Sequence, residues 1–485
     1  MPIIPLALPR QSDAGQEPHA GVARLVNAFA RPVEAEGRTQ MQVWARPGLD
    51  ALVTLAGTGG IRATLEVDGL LYVVAGRVIH RVDAVGASSI IGGLPSDGYV
   101  GKARNSRGTG PQICFTCDGL AVVIENGVLS SVTGLSISPI DVCCIDRYFV
   151  FIDARGRMQS SDIDSGLVYD GLDVAEAESS PDNGLRVVDR GRDLIVFGPR
   201  SFEVWVDTAA DAFPFTRQHA VSVGALSAGS VVKATIIQKG GSVSDTVAWS
   251  ATTHEGKFAG IMILNGYTPS PISTAAVNRD FAAVVDTASI TASSYVNASG
   301  ESFIRWRLPS TTWVYCTNTG LWHEEASRDS LGNNITNNVA HLATLGLRTV
   351  GGHASEPQLY WLSDDYTDDD GDELVVTVQT PPAHASPERL TMDALYLDVV
   401  PGVGLTTGAS QDVAPSVMMQ WSADGETWSN ELWRSIGVQG ARQTRAKWTR
   451  LGTTSHTGRT YRFRVSANVA KGLLGARWEG SKARA

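Results

Sequence analysis

The stretch that decides the fold is Val67-Asp68-Gly69-Leu70-Leu71-Tyr72-Val73-Val74-Ala75-Gly76-Arg77-Val78-Ile79-His80-Arg81. An Asp-Gly turn feeds a short apolar strand from Leu70 to Val74, and a second turn at Ala75-Gly76 returns the chain through Val78 and Ile79. Asp-Gly suits a two-residue hairpin because both central residues of a type I′ turn need φ > 0. The β-branched and aromatic residues between the turns fit a pleated, buried surface.

The same unit recurs outward from this stretch. Leading strands start near Leu71, Leu120, Tyr148, Asp193, Thr246 and Ser302, in steps of 49, 28, 45, 53 and 56 residues, with a further candidate at Gln358–Leu362. Four of the five steps approach the length of a four-stranded propeller blade, and the short one reads as a reduced blade. Turns fall where hairpins want them, at Asp118-Gly119, Asn126-Gly127, Arg155-Gly156, Asn265-Gly266 and Thr319-Gly320. No amphipathic helical period is sustained, and only Ser273 to Val285 carries a helical turn or two. The fold class is all-β: a β-propeller-like repeat of antiparallel hairpins, a C-terminal β-sandwich and an extended N-terminal lead-in.

The expected division is an arm over 1–49, a propeller-like domain over 50–363, an acidic linker over 364–373 and a sandwich over 374–485. Prolines at 2, 5, 9, 18, 32 and 47 keep helices out of the arm, which holds two short strands near Ala23–Pro32 and Met41–Leu49. The sandwich rests on alternation in Leu374–Val378, Leu395–Val399, Val417–Trp421 and Tyr461–Val465. In the last of these Arg462 and Arg464 alternate with Tyr461, Phe463 and Val465, giving one basic and one apolar face.

With 485 residues, 43% hydrophobic and 19% charged, the chain is globular and long enough for two or three domains. Its net charge of −10 is uneven: Glu431 to Ala485 holds 12 Lys/Arg against 2 Glu, about +10, which leaves about −20 on the rest. A basic tail suits nucleic acid, an acidic neighbour in an assembly, or a merely solvated face. Five cysteines without framework spacing fit a reducing compartment. The N-terminus lacks the basic region of a signal peptide, and no run reaches the roughly 18 apolar residues of a membrane helix. The protein is expected to be made in the cytoplasm.

Local chemistry is sparse. In the acidic run Asp364 to Glu373, placing Gly371 at the sixth position of a calcium loop puts Tyr366 first and Thr377 twelfth, where carboxylates are required. Cys114 and Cys117 have C-x-x-C spacing, but residues three apart on a strand face opposite ways. Ser422-Ala423-Asp424-Gly425-Glu426-Thr427-Trp428 is similar to the Asp-box hairpin of sialidases with one residue missing, a turn marker rather than a catalytic element. His323-Glu324-Glu325 lacks the spacing of a zinc protease, and there is no nucleophile elbow, phosphate loop or dinucleotide fingerprint. We expect no enzyme activity, no cofactor and no metal.

The order of the segments resembles one family, the packaged-DNA stabilisation protein or tail hub (nozzle) of short-tailed phages of the Salmonella podovirus type. The resemblance is carried by Met1-Pro2-Ile3, by Leu25-Val26-Asn27-Ala28-Phe29-Ala30-Arg31-Pro32 with Arg46-Pro47-Gly48-Leu49, and by Arg192–Gly198 with Phe202–Trp205. It continues through Ala251–Gly260 ahead of Ser270–Thr274, Ser422–Trp428, Lys447–Gly452 and Tyr461–Val465, and departs most over 364–390. It implies a structural virion protein forming a six-fold ring below the portal and adaptor. Such a ring continues the channel for double-stranded DNA, retains the packaged genome, and carries the tail needle and tailspikes or fibres. DNA must slide through such a conduit, and a basic lumen would hold phosphates, so an acidic majority suits it. The assembly contacts expected on this reading are Asn27, Phe29, Arg31, Arg46, Arg450, Arg462 and Arg464. The competing expectation is a carbohydrate-binding or glycoside-degrading propeller of a phage tail, with Trp205, Trp306, Trp313, Trp322 or Trp361 stacking on sugars.

Overall fold

The computed structural model describes residues 3–15, 22–33, 41–171, 173–177, 182–210, 212–237, 242–385 and 388–482. Met1 and Pro2, parts of the lead-in (16–21 and 34–40) and Arg484 of the basic tail lie outside the described residues.

Asp68 and Gly69 both have positive φ (53° and 78°), and the turn sets Val67 opposite Leu70. Strand Leu70–Ala75 is buried almost throughout because each of its faces meets a different neighbour. Leu71, Val73 and Ala75 pack with Val350, Leu359 and Trp361, while Tyr72 and Val74 pack with Ile113, Phe115 and Val122. Strict alternation therefore sends successive side chains into two separate cores. This arrangement repeats until the sheets close into a ring.

Seven blades result among the described residues, each built on four strands, with Val223–Ala225 added to the fifth and Asn334–Thr336 to the sixth. The first four span 61–93, 101–131, 139–176 and 186–221, the fifth and sixth 232–271 and 291–328. The seventh is made of Val339–Leu345, Arg348–His353 and Gln358–Ser363 and is completed by Gly48–Thr54 from the other end of the chain, with Gln358 opposite Thr54 and Ser363 opposite Gly48. Each junction between blades has its own apolar core, such as Phe149 and Phe151 between the second and third, or Phe197, Phe202 and Trp249 between the fourth and fifth. Full burial of each such ring contributes about 1.5–3 kcal/mol.

The second blade has all four strands, so it is not reduced. The 28-residue step arose because Leu120 opens the third strand of its blade, whereas Leu71 and Tyr148 lie at the start of second strands. The helix at Ala275–Ala282 falls where a turn or two was expected, with the Thr274 hydroxyl accepting from Val277 N.

The lead-in is not an arm apart from the domains. Ile3–Leu6 pairs with Gly472–Lys482, and Ala28–Pro32 and Met41–Ala45 extend the same sandwich sheet, which continues through Leu390–Val399 and Ala446–Thr453. Val22–Val26 runs antiparallel to Val376–Gln379 of the second sandwich sheet and parallel to Leu321–Arg328 of the sixth blade, so one sheet passes from propeller to sandwich. Short proline-bounded strands build no core alone, and here they join larger sheets. The sandwich core accordingly mixes Leu25, Ala28 and Val43 with Leu395, Trp448, Tyr461 and Phe463.

The acidic run is exposed at 364–365 and 370–373 but anchored through its middle. Leu49 N donates to Asp368 O at 2.9 Å, and the Asp369 carboxylate receives both terminal nitrogens of Arg46 at 3.0 and 2.6 Å. Gly48 is needed for this approach, since a Cβ there would lie 2.4 Å from Asp368 O.

Candidate functional site

The junction between propeller and sandwich gathers most of the residues expected at assembly contacts. Asn27 has φ 56°, a left-handed conformation that Asn tolerates well, at the corner between Val22–Val26 and Ala28–Pro32. Its side chain is 3% exposed. Nδ2 donates to Val375 O at 3.1 Å, and Oδ1 accepts from Ala326 N at 2.9 Å and Arg46 Nε at 3.0 Å. One amide thus ties the lead-in to the sixth blade, the sandwich and, through Arg46, the acidic run.

Arg46 is 4% exposed and spends its donors on Asn27, Pro47 O and Asp369. Phe29 is buried edge-on against Phe303, 5.2 Å between centroids. Arg31 lies 5.0 Å from the Phe29 centroid and makes a two-bond pair with Glu301 of the sixth blade, at 2.7 and 2.6 Å. These four residues are drawn together inside the chain, and three of them offer no surface to a partner.

Arg450, Arg462 and Arg464 lie elsewhere, on the sandwich. Arg450 is exposed and takes φ 61° in Ala446–Thr453. Strand Tyr461–Val465 buries Tyr461, Phe463 and Val465, so Arg462 and Arg464 emerge on the other face, as their alternation requires. Arg462 donates to Gln420 Oε1 at 2.8 Å and stacks 3.9 Å from the Trp428 centroid. Arg464 donates to the same oxygen at 3.3 Å and pairs with Glu431. The Asp424 turn that carries Trp428 toward Arg462 is braced by Glu426 N and Thr427 N donating to its carboxylate at 2.9 and 2.7 Å.

Two further arginines complete a groove of about 220 Å³: Arg24 from the lead-in and Arg328 from the end of the sixth blade. Arg24 pairs with Glu324, its Nε 3.0 Å from Oε1. Arg328 donates to Gly332 O, and its Nε has no hydrogen-bond partner among the described residues. Burial, and then the charge of Arg24, hold the Arg462 guanidinium below its ordinary range; burial and then Arg328 do the same at Arg464. Four guanidiniums against the carboxylates of Glu324 and Glu431 leave a cationic surface suited to planar two-bond recognition of carboxylate or phosphate. Arg24 and Arg328 were missed in the sequence because they reach the groove from segments remote in the chain. The one local signal was the alternation of Arg24 with the buried Leu25.

Other singled-out residues serve the fold. Burial pushes His323 down to about 4, and its ring packs on Phe29 and Phe303. Glu325 pairs with Arg305 inside the sixth blade at 2.9 Å. Cys114 faces Phe149 and Phe151 while Cys117 faces Val67 and Phe115, in different cores. Trp205, Trp306, Trp313, Trp322 and Trp361 are all buried, none more than 7% exposed, so none has a face free for a sugar. No helix among the described residues is long and apolar enough to cross a membrane.

Among solved structures, the chain is similar to the WD40 β-propeller domain of Doa1, with 8% identity over 65% of this chain and 97% of that one, at a TM-score of 0.38. It is also similar to virginiamycin B lyase from Staphylococcus aureus, with 11% identity over 65% of this chain and 99% of that one, at 0.43. The computationally designed Ika8 protein gives 13% identity over 73% and 100%, at 0.38. Likeness at this level carries no argument about function. No curated protein matches the chain. Two family models match in the order the fold requires: bacteriophage P22 Gp10, β-propeller, over residues 22–330, and bacteriophage P22 Gp10, β-sandwich, over residues 376–480. With both of its domains matched over most of its length, the chain belongs to the bacteriophage P22 Gp10 family of phage structural proteins.

Proposed function

We propose that the protein is the tail hub of a short-tailed phage: a six-fold ring of identical chains below the portal and adaptor that continues the DNA channel and retains the packaged genome. The observation that carries this is the match to both Gp10 domains in sequence order. The ring would carry the tail needle at its far end and tailspikes or fibres alongside. Double-stranded DNA would pass without sequence-specific contact, which the acidic balance of residues 1–430 favours.

The fold supports a load-bearing role. Its seven blades are locked by a strand from the opposite end of the chain, and a continuous sheet joins propeller to sandwich. Docking belongs to the basic outer face of the second sandwich sheet, where Arg462 and Arg464 meet an acidic surface of a neighbouring virion protein, and the exposed Arg450 offers a separate contact on the other sheet. Asn27, Phe29 and Arg46 act indirectly, by fixing the sandwich against the propeller.

The test is electron microscopy of the protein mixed with its portal–adaptor complex, scored for a six-fold ring. Wild type is expected to form it and R462E/R464E to lose it. A folded double variant that attaches as wild type does would remove the docking role of this face. Absence of any ring with wild type would remove the hub reading itself.

A further inference from the structure

The axis of the propeller holds a second cationic site, away from the junction. Two cavities, of about 440 and 420 Å³, open along the inner strands and share Lys102, Arg186 and His341 at their meeting point. Lys102 comes from the second blade, Arg186 from the fourth and His341 from the seventh, so the fold brings them together around its axis.

The charges there are poorly matched. Lys102 Nζ donates to a backbone carbonyl, Thr64 O, at 2.6 Å. Arg307 donates from Nε to Asn337 O at 2.7 Å, and Arg62 donates to the carbonyls of Gly76 and Ser96, each at 2.7 Å. Among the described residues none of these three cations has a carboxylate within pairing distance. Arg186 donates from Nη1 to Ala228 O at 2.7 Å and to Val231 O, and it forms an ion pair with Asp141 Oδ2 at 3.6 Å, while its Nε is buried without a hydrogen-bond partner. Thr291 Oγ1 and Arg62 Nε, on the lining of the second cavity, are buried and unpartnered too. Asp141 is the lining carboxylate that faces Lys102 and Arg186, and it also accepts from Val187 N at 3.0 Å and from the Tyr99 hydroxyl at 3.4 Å. Asp286 accepts from Ala288 N at 3.1 Å, and Asp189 and Asp97 pair with Lys233 at 2.6 Å and Arg77 at 2.7 Å.

Uncompensated buried charge is costly, and unpaired donors converging on one space mark where an acceptor belongs. Burial, then the Arg186 charge, push Lys102 down to about 8. Burial, then Lys102, Arg307, Arg186 and Arg62, push His341 down to about 3, so its ring is neutral and adds no charge. We propose that the propeller axis binds a phosphate group between Lys102, Arg186 and His341, with Arg62, Arg307 and Thr291 supplying further donors. The cavities have room for a phosphate borne on a small organic molecule as well as for the free ion, since a water occupies a liquid volume of only about 30 Å³.

The experiment titrates the intact protein with inorganic phosphate and, separately, with a nucleoside monophosphate, by calorimetry and by the shift in melting temperature. We expect saturable binding of at least one of them, unchanged in the exposed-site control K257M. Binding should weaken at least tenfold in K102M. In H341E it should be lost while the phosphate-free protein melts no lower, because the new carboxylate meets the same cations. Binding of inorganic phosphate alone identifies the free ion, and tighter binding of the nucleotide identifies an organic phosphate. No saturable binding of either by wild type, or wild-type binding in K102M or H341E, overturns the proposal. Ring formation on the portal complex is a separate readout and does not depend on this site.

Discussion

Removing the Asp369 carboxylate tests whether the acidic run is a latch. Asp369 and Arg46 have side chains 10% and 4% exposed and are joined by bonds of 3.0 and 2.6 Å. In D369A the Arg46 guanidinium keeps Asn27 Oδ1 and Pro47 O but loses its counter-charge. Breaking one partner of a buried pair costs about 3–5 kcal/mol, against about 0–1 kcal/mol for an exposed pair. The loss should be local first, because Asp368 O and Asp370 Oδ1 receive Leu49 N and Ala51 N, at 2.9 and 3.2 Å, on the strand that closes the seventh blade. Hydrogen exchange at residues 48–54 and 364–372 should therefore speed up by about 100-fold or more, at about 1.4 kcal/mol per tenfold. The double variant R46M/D369A should recover part of the loss, because it leaves no charge unpaired. Exchange rates within about fivefold of wild type in D369A would refute the latch and return the run to a solvated loop.

The remaining predictions rest on single sites. In H323F the buried imidazole is replaced by a ring that suits Phe29 and Phe303. The folded value of about 4 lies below the ordinary 6.5, so this histidine contributes stability present above about pH 6.5 that is lost as pH falls toward 4. Urea titrations of wild type and H323F should diverge by about 3 kcal/mol across that window, and parallel curves would contradict the assignment. In G48A the new Cβ, 2.4 Å from Asp368 O, must push two backbones apart; we expect a loss of about 1–3 kcal/mol in urea unfolding, and an unchanged midpoint would argue against the close approach. Removing residues 1–12 deletes Ile3–Leu6 and the Ser12 hydroxyl that bonds Leu25 N and O at 2.8 and 3.0 Å. Proteolysis should then attack Gly472–Lys482 first, and unchanged protection there would show the added strand to be dispensable.

The hairpins were legible because their signals are local: Asp-Gly and Asn-Gly turns, and apolar strands with the right period. The blade count was not, since the third strand beginning at Leu120 looks in sequence like the second strand beginning at Tyr148. Closure was hidden for another reason. Gly48–Thr54 meets Gln358–Ser363 across some 300 residues, and no local pattern encodes that partner. Burial of both faces also blurs the polar alternation that would mark an edge. At the candidate site, the outward Arg462 and Arg464 followed from the period of two, whereas Asn27, Phe29 and Arg46 were singled out through family resemblance. What placed those three inside was pairing of the lead-in with both domains, a tertiary property.

That pairing imposes an order on synthesis. Strands Ile3–Leu6 and Gly48–Thr54 are made well before their partners at 472–482 and 358–363. At about 5–20 residues per second the early segments wait roughly 15 to 90 s before they can dock. Until then the nascent propeller is an open arc with an unpaired seventh blade. A chain terminated before residue 358 can neither close that arc nor complete the sandwich, so it stays exposed to proteolysis. The topology thereby keeps both domains incomplete until the strands at 358–363 and 472–482 have been made.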